Sequence, residues 1–280
     1  MKLVSYLVSG RASFGLLTNH GIVDLKQKFG DKYADLKSLL ADEEGLSLAK
    51  TYVNAPSDIN EQDITYLPVI PNPNKILCVG MNYAEKRAEF NETSSAPTLF
   101  VRFPDSQTGH KTNILKPAIT NELDYEGELA IIIGKGGFRI KQEDALSHVA
   151  GYSCYMDGSI RDWQYTWFTA GKNWPSTGAF GPCLSTTDEI PDPTVLSLTT
   201  YLNGQEMQHD YVKNLVHTVP ELISYISTFT RLSPGDVILT GSPGGVGKKR
   251  NPPVFMKDGD KIEVEISGIG RLTNYVVAEK

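Results

Sequence analysis

Cysteine is scarce in this chain of 280 residues, and the three present, Cys78, Cys154 and Cys183, lie inside apolar segments without paired spacing. That excludes a disulfide framework or a cysteine-based zinc site and points to buried, reduced thiols in a cytoplasmic protein. Histidine is also sparse. His20, His148, His209 and His217 stand alone, and only His110 falls in a loop able to reach a site. No apolar run approaches the roughly 20 residues that cross a bilayer. The opening M-K-L-V-S-Y-L-V-S-G-R meets polar residues too soon for a secretory signal, so no membrane partner is expected. Positive charge is the minority sign, with a net charge of -6 and a pI near 5.4. Nucleic-acid binders carry a basic footprint, so that class is excluded as well. Repeats, low-complexity tracts and heptads are absent.

What is present fits a globular chain: 40% hydrophobic and 21% charged residues, enough for one large domain with a small appendage. The proline-rich stretch at 68–74 marks a boundary, giving a small N-terminal α+β unit at 1–67 and a main domain at 68–280. In the first unit, strands are expected at 3–9 and 12–18, and a helix over 33–50. In the second, strands are expected at 75–79, 99–103, 150–156, 236–240, 261–266 and 271–277. Asn203-Gly204 joins a hairpin, and helices are expected over 141–149 and 219–232. The fold class is α+β and β-rich.

The organising stretch is L-D-Y-E-G-E-L-A-I-I-I-G-K, residues 123–135. Strand alternation puts Asp124, Glu126 and Glu128 on one face, leading into the apolar run 130–133. Carboxylates crowded on a strand entering a core repel one another and lose hydration, and a divalent cation is the simplest compensation. The plainer alternative is a solvated edge strand. Asp157 ends another β run and precedes Gly158, where a backbone can approach closely. It completes a three-carboxylate oxygen site with Glu126 and Glu128, or else merely caps its turn. Arg161 suits either a substrate carboxylate or a brace to an acid. Lys172, in a Gly/Pro-rich loop, suits either an enolate or solvent. The Gly-rich segment 240–249 lacks the phosphate-loop pattern; carboxylate binding through its N–H groups and the Ser242 hydroxyl fits better.

Four ordered stretches, K-I-L-C-V-G-M-N-Y (75–83), D-Y-E-G-E-L-A-I-I-I-G (124–134), G-Y-S-C-Y-M-D-G-S-I-R-D-W-Q (151–164) and L-S-P-G-D-V-I-L-T-G-S-P-G-G-V-G (232–247), together resemble the fumarylacetoacetate hydrolase family. The resemblance spans about 70–280 and implies a mixed β-roll catalytic domain behind a small N-terminal domain. It also implies a homodimer and a divalent metal, Mg²⁺, Mn²⁺ or Ca²⁺, on Glu126, Glu128 and Asp157. It carries the active-site lysine to Lys172, puts Gln164 and Tyr83 near the substrate, and sets Ser242 where a threonine usually binds the substrate carboxylate. The implied activity is C–C hydrolysis of an acylpyruvate-type 2-oxo acid. Isomerisation and decarboxylation on the same scaffold are alternatives, and a non-catalytic ligand-binding protein is a third. The chain departs from the family at one position. Lys86 stands where family hydrolases place a histidine that works with the glutamate at Glu89 to activate water. An ordinary lysine is protonated and cannot act as that base. Glu89 alone, or His110 from another loop, would then have to serve.

Overall fold

Every residue from Leu129 to Ile133 is buried, and alternate side chains enter different cores. Successive strand side chains leave on opposite faces. Leu129, Ile131 and Ile133 accordingly join one large apolar cluster, while Ala130 and Ile132 join another. A strand covered on both faces belongs in the middle of a layered fold. The computed structural model, which describes all 280 residues, has it there. Its eleven-stranded mixed sheet runs Gly21–Asp24, Arg11–Thr18, Lys2–Val8, Gly178–Thr186, Val149–Asp157, Gly127–Ile133, Val237–Leu239, Ile76–Gly80 and Thr98–Arg102, with two short strands paired alongside. One face meets a five-stranded sheet containing Ser197–Leu202, Lys261–Ile266 and Gly270–Ala278. The other is covered by the N-terminal helices through Leu36, Leu39 and Leu40. The molecule is α+β and strand-rich, as expected, and no helix is long and apolar enough to cross a membrane.

The first 67 residues do not hang from a linker. Lys2–Val8 pairs antiparallel with Gly178–Thr186, Leu3 standing opposite Leu184, so the N-terminal unit extends the main sheet. The single helix expected over 33–50 is two, Leu36–Leu40 and Glu43–Lys50. Asp42 causes the break: its side chain accepts the Glu44 N–H, capping a new helix rather than continuing the old one. The 141–149 helix is a 3₁₀ segment, Gln142–His148. The Asn203-Gly204 turn has positive φ at both residues, 52° and 81°, the type I′ geometry its sequence promised. Helix Val219–Phe229 starts at a Thr218–Glu221 capping box, as the apolar spacing of Leu222, Ile223 and Ile226 required.

The acidic strand departs most from expectation. It is not one continuous strand running from a half-buried into a buried environment but two pieces, Leu123–Asp124 and Gly127–Ile133. Asp124 Oδ1 accepts the N–H of Tyr125 at 2.8 Å, a local bond that competes with ladder pairing. The first piece pairs with Ser159–Ile160 instead, bringing Asp124 opposite Ser159. Glu126 falls in the break between the two.

His110 lies at the junction of the N-terminal unit and the second sheet. Its Nδ1 accepts the Thr273 N–H at 3.1 Å, and its ring meets Tyr66 edge-on with centroids 4.9 Å apart. Burial, with Lys111 beside it, pushes the imidazole down to about 4, against a slight opposing pull from Glu61. The folded chain therefore keeps this ring neutral in a range where the unfolded chain protonates it. Its contribution is whole above about pH 6.5 and is lost as pH falls toward 4. Between pH 7 and pH 5 that loss is about 2 kcal/mol. Urea unfolding at both pH values should show the stability gap narrowing by about this amount in His110→Gln. An unchanged gap would remove His110 from the account.

Candidate active site

The break in the acidic strand leaves Glu126 free to turn inward, where four hydrogen-bond donors and one further cation surround it. Oε1 accepts from Ser159 Oγ at 2.5 Å and Lys172 Nζ at 2.8 Å, with Arg161 Nη2 3.0 Å away. Oε2 accepts from Ser242 Oγ at 2.9 Å and Lys86 Nζ at 3.1 Å. Burial alone would raise this carboxyl, but Arg161, Lys172 and Lys86 overcome it and hold the group well below its ordinary range. Glu128 is the opposite case. Burial, then the charges of Asp157 and Glu126, push it well above the usual value, and the Lys172 charge and the Gly241 N–H at 2.8 Å offset this only in part. The two acids are two residues apart, and their surroundings drive them in opposite directions.

Asp157 ends the Val149–Asp157 strand with no exposure. Arg102 Nη1 donates to its Oδ1 at 2.6 Å, and Lys172 donates to its Oδ2. Arg102 is itself buried and also donates to the Gly158 carbonyl and to Thr177 Oγ1. Glycine at 158 is required here, because a Cβ would stand 1.9 Å from the Thr177 oxygen. Lys172 is held above its ordinary range: burial works against it, but Asp157 and Glu126 prevail.

The Gly-rich loop after Val237–Leu239 does bind carboxylates through backbone N–H groups, but they are the protein's own. Gly241 donates to Glu128, Gly245 to Glu89 Oε1 at 2.8 Å, and Gly247 and Lys248 to Asp124 at 2.7 and 3.1 Å. These donors are spent on internal acids, which corrects the expectation of a substrate carboxylate bound through this backbone. Ser242 alone turns its side chain to the site.

The structure brings Lys86, Arg161, Gln164, Lys172 and Ser242 together with Glu126 and Glu128 around one small cavity of about 50 Å³. Phe90, Phe100 and Phe168 form its apolar wall. Asp157 stands behind Lys172. Three expected residues lie elsewhere. Tyr83 is fully buried in the apolar core with an unpartnered hydroxyl. Glu89 turns to the Gly245 N–H, and its Oε2 is buried without a partner. His110 sits in the domain junction. Sequence reasoning missed Arg102, whose signal was a lone arginine in the apolar run L-F-V-R-F. It also missed that Asp124 belongs to Arg161 and the loop.

The donors Glu126, Glu128 and Asp157 are all hard oxygens suited to a divalent cation. Glu128 is short of compensating charge, and the Lys172 ammonium already bridges Glu126 and Asp157 as a cation would. In donor type and charge the residues fit such an ion, although no three of them form a ready-made coordination sphere.

The contrast between the two glutamates is testable on stability. Glu126→Gln leaves three buried cations without their common anion and should cost about 3–5 kcal/mol in urea unfolding. Glu128→Gln relieves a crowded carboxyl and should change stability by less than about 1 kcal/mol. Equal losses would refute this charge assignment.

Residues 75–277 match the family described as Fumarylacetoacetate (FAA) hydrolase C-terminal. Over 221 residues the chain is 41% identical to the mitochondrial oxaloacetate tautomerase FAHD2A of Bos taurus, covering 77% of this chain and 70% of that protein. The solved fumarylacetoacetate hydrolase of Exiguobacterium antarcticum has a TM-score of 0.85 at 34% identity, with both chains covered in full. Maleylpyruvate hydrolase from Sphingobium sp. SYK-6, solved in complex with manganese(II) ion and pyruvate, has a TM-score of 0.84 at 28% identity, again over the whole of both chains. The matched span holds the acidic strand, the Asp157 turn and the carboxylate-bound loop. The chain belongs to the fumarylacetoacetate hydrolase family.

Proposed function

We propose that this enzyme interconverts the enol and keto forms of a short 2-oxo dicarboxylate of the oxaloacetate type. The observation that carries this reading is Lys86. Hydrolysis of a C–C bond needs a base that activates water near neutral pH. At the position that would supply it, the pocket has Lys86 Nζ, already bonded to Glu126 Oε2 and, at 3.3 Å, to Ser242 Oγ. Tautomerisation needs no water, only a proton moved between carbon 3 and the 2-oxygen. Burial pushes Lys86 below the ordinary lysine range, outweighing the pull of Glu126, which favours a group that gives up and regains a proton. The small cavity favours a short substrate, and the likeness to an oxaloacetate tautomerase supports the reaction class.

The chain's own residues divide the work. Arg161 Nη2 and Gln164 Nε2 are buried nitrogens without hydrogen-bond partners beside the cavity, and they receive a substrate carboxylate. Phe90, Phe100 and Phe168 keep water out, which strengthens each charge interaction inside. Lys86 Nζ takes the enol proton from the 2-oxygen and delivers it to carbon 3, with the reverse transfer in the other direction, and Ser242 Oγ and Glu126 Oε2 hold that nitrogen in place. Lys172 Nζ stabilises negative charge on the 2-oxygen. A divalent cation on Glu126, Glu128 and Asp157 would supply Lewis-acid polarisation of the same oxygen.

Ultraviolet decay of enol-oxaloacetate with Mg²⁺ or Mn²⁺ and a chelator control tests this directly. Chelator-sensitive acceleration without pyruvate release is expected, and Lys86→Met should lower kcat by about 10²–10⁴. A second reading, hydrolysis with Glu89 as base, is favoured only by the unpartnered Glu89 Oε2. Pyruvate release from an acylpyruvate, with enol decay unchanged from the blank, would replace the first reading by the second.

A further inference from the structure

The fork of Arg161 is not held by the substrate site alone. Its Nε donates to Asp124 Oδ2 at 2.8 Å, and its Nη1 donates to Gln164 Oε1 at 3.1 Å. Two fixed bonds at two corners of a planar group define its plane and leave Nη2 as the one corner without a hydrogen bond, 3.0 Å from Glu126 Oε1 but not aligned with it. Asp124 looks like a third acid of the strand, yet it has no spare acceptor for a metal. Oδ1 takes the N–H groups of Tyr125 and Gly247, while Oδ2 takes Arg161 Nε and the Lys248 N–H. It is fully buried, and two of its other donors are backbone N–H groups of the loop that carries Ser242. Without Asp124, the strongest remaining anion for Arg161 is Glu126, already 3.0 Å from Nη2. The guanidinium would then rotate into hydrogen-bond alignment with Glu126, and Nη2 would no longer be available to a substrate.

We infer that Asp124 is a positioning residue, which sets substrate affinity by fixing the guanidinium plane of Arg161 so that Nη2, although ion-paired with Glu126, stays out of hydrogen-bond alignment with it and faces the substrate carboxylate. This rests on the reading of Arg161 as the carboxylate clamp. Asp124 touches no reacting atom. It acts through the guanidinium, and it ties the clamp to the Gly247–Lys248 turn, so both sides of the cavity share one anchor.

The test is a double-mutant cycle on Asp124→Asn and Arg161→Lys, with three readouts. These are oxaloacetate KM and kcat, oxalate affinity of the Mn²⁺-loaded enzyme by calorimetry, and Mn²⁺ affinity from the free-ion electron paramagnetic resonance signal. Asp124→Asn should raise KM and weaken oxalate by roughly 10- to 100-fold, the worth of one charge-assisted bond. Its kcat and its Mn²⁺ affinity should stay within about threefold of wild type. Added to Arg161→Lys, it should cause no further loss, because both changes break one coupling. Fully additive losses, or equal falls in kcat, Mn²⁺ affinity and oxalate affinity, would overturn the inference in favour of a purely structural acid. If Arg161→Lys binds oxalate like wild type, the clamp itself fails, a result separate from failure of Asp124. Should Asp124→Asn not fold, Arg161→Lys breaks the Nε bond from its other end, and unimpaired affinity there also overturns the proposal.

Discussion

Four buried carboxylates, Asp124, Glu126, Glu128 and Asp157, face four buried cations, Lys86, Arg102, Arg161 and Lys172. Each ion taken from water carries a penalty of several kcal/mol, and only a close partner of opposite sign offsets it. That requirement governs the centre of the molecule. It explains why Glu126 turns inward at the break in the acidic strand and why an arginine ends the Thr98–Arg102 strand. Glu126 is the pivot. Three of the four cations reach it directly, and the fourth, Arg102, secures the neighbouring Asp157.

The loop at 241–248 belongs to the same arrangement. Its glycines expose N–H groups that cap Glu128, Glu89 and Asp124, so the loop neutralises acids without adding side chains to a crowded space. A glycine-rich loop thus serves the function usually assigned to an anion-binding cradle, turned inward on the protein itself. The cavity that remains has cations on one wall and phenylalanines on the other. Phe90 lies near both Lys86 and Lys249, and Phe100 near Lys172, so the apolar wall also faces positive charge.

Local signals were legible in the sequence. Asn203-Gly204 and the spacing of Leu222, Ile223 and Ile226 each act within a few residues, and each produced the element its chemistry specifies. The grouping of Glu126, Glu128, Lys172, Arg161, Gln164 and Ser242 in one cavity followed from motifs and from the charge problem they create. What stayed hidden depends on long-range partners. Arg102 reads as a strand residue until Asp157 is placed beside it, 55 positions away. Asp124 and Glu126 look equivalent by strand periodicity, and only the break in the ladder separates them. The orientation of Glu89 depends on a backbone N–H more than a hundred residues downstream.

The pairing of Lys2–Val8 with Gly178–Thr186 has a consequence in time rather than space. A ribosome adding about 5–20 residues per second makes the first strand wait on the order of ten seconds for its partner. Until then it has Arg11–Thr18 on one edge, while on the other only Tyr6–Val8 is paired, with Ile64–Tyr66, and the Lys2–Leu3 end stays open to unwanted association. Closing so long a loop is also entropically unfavourable, so this step belongs to the late, slow part of folding. The N-terminal segment is made first and takes its final place among the last.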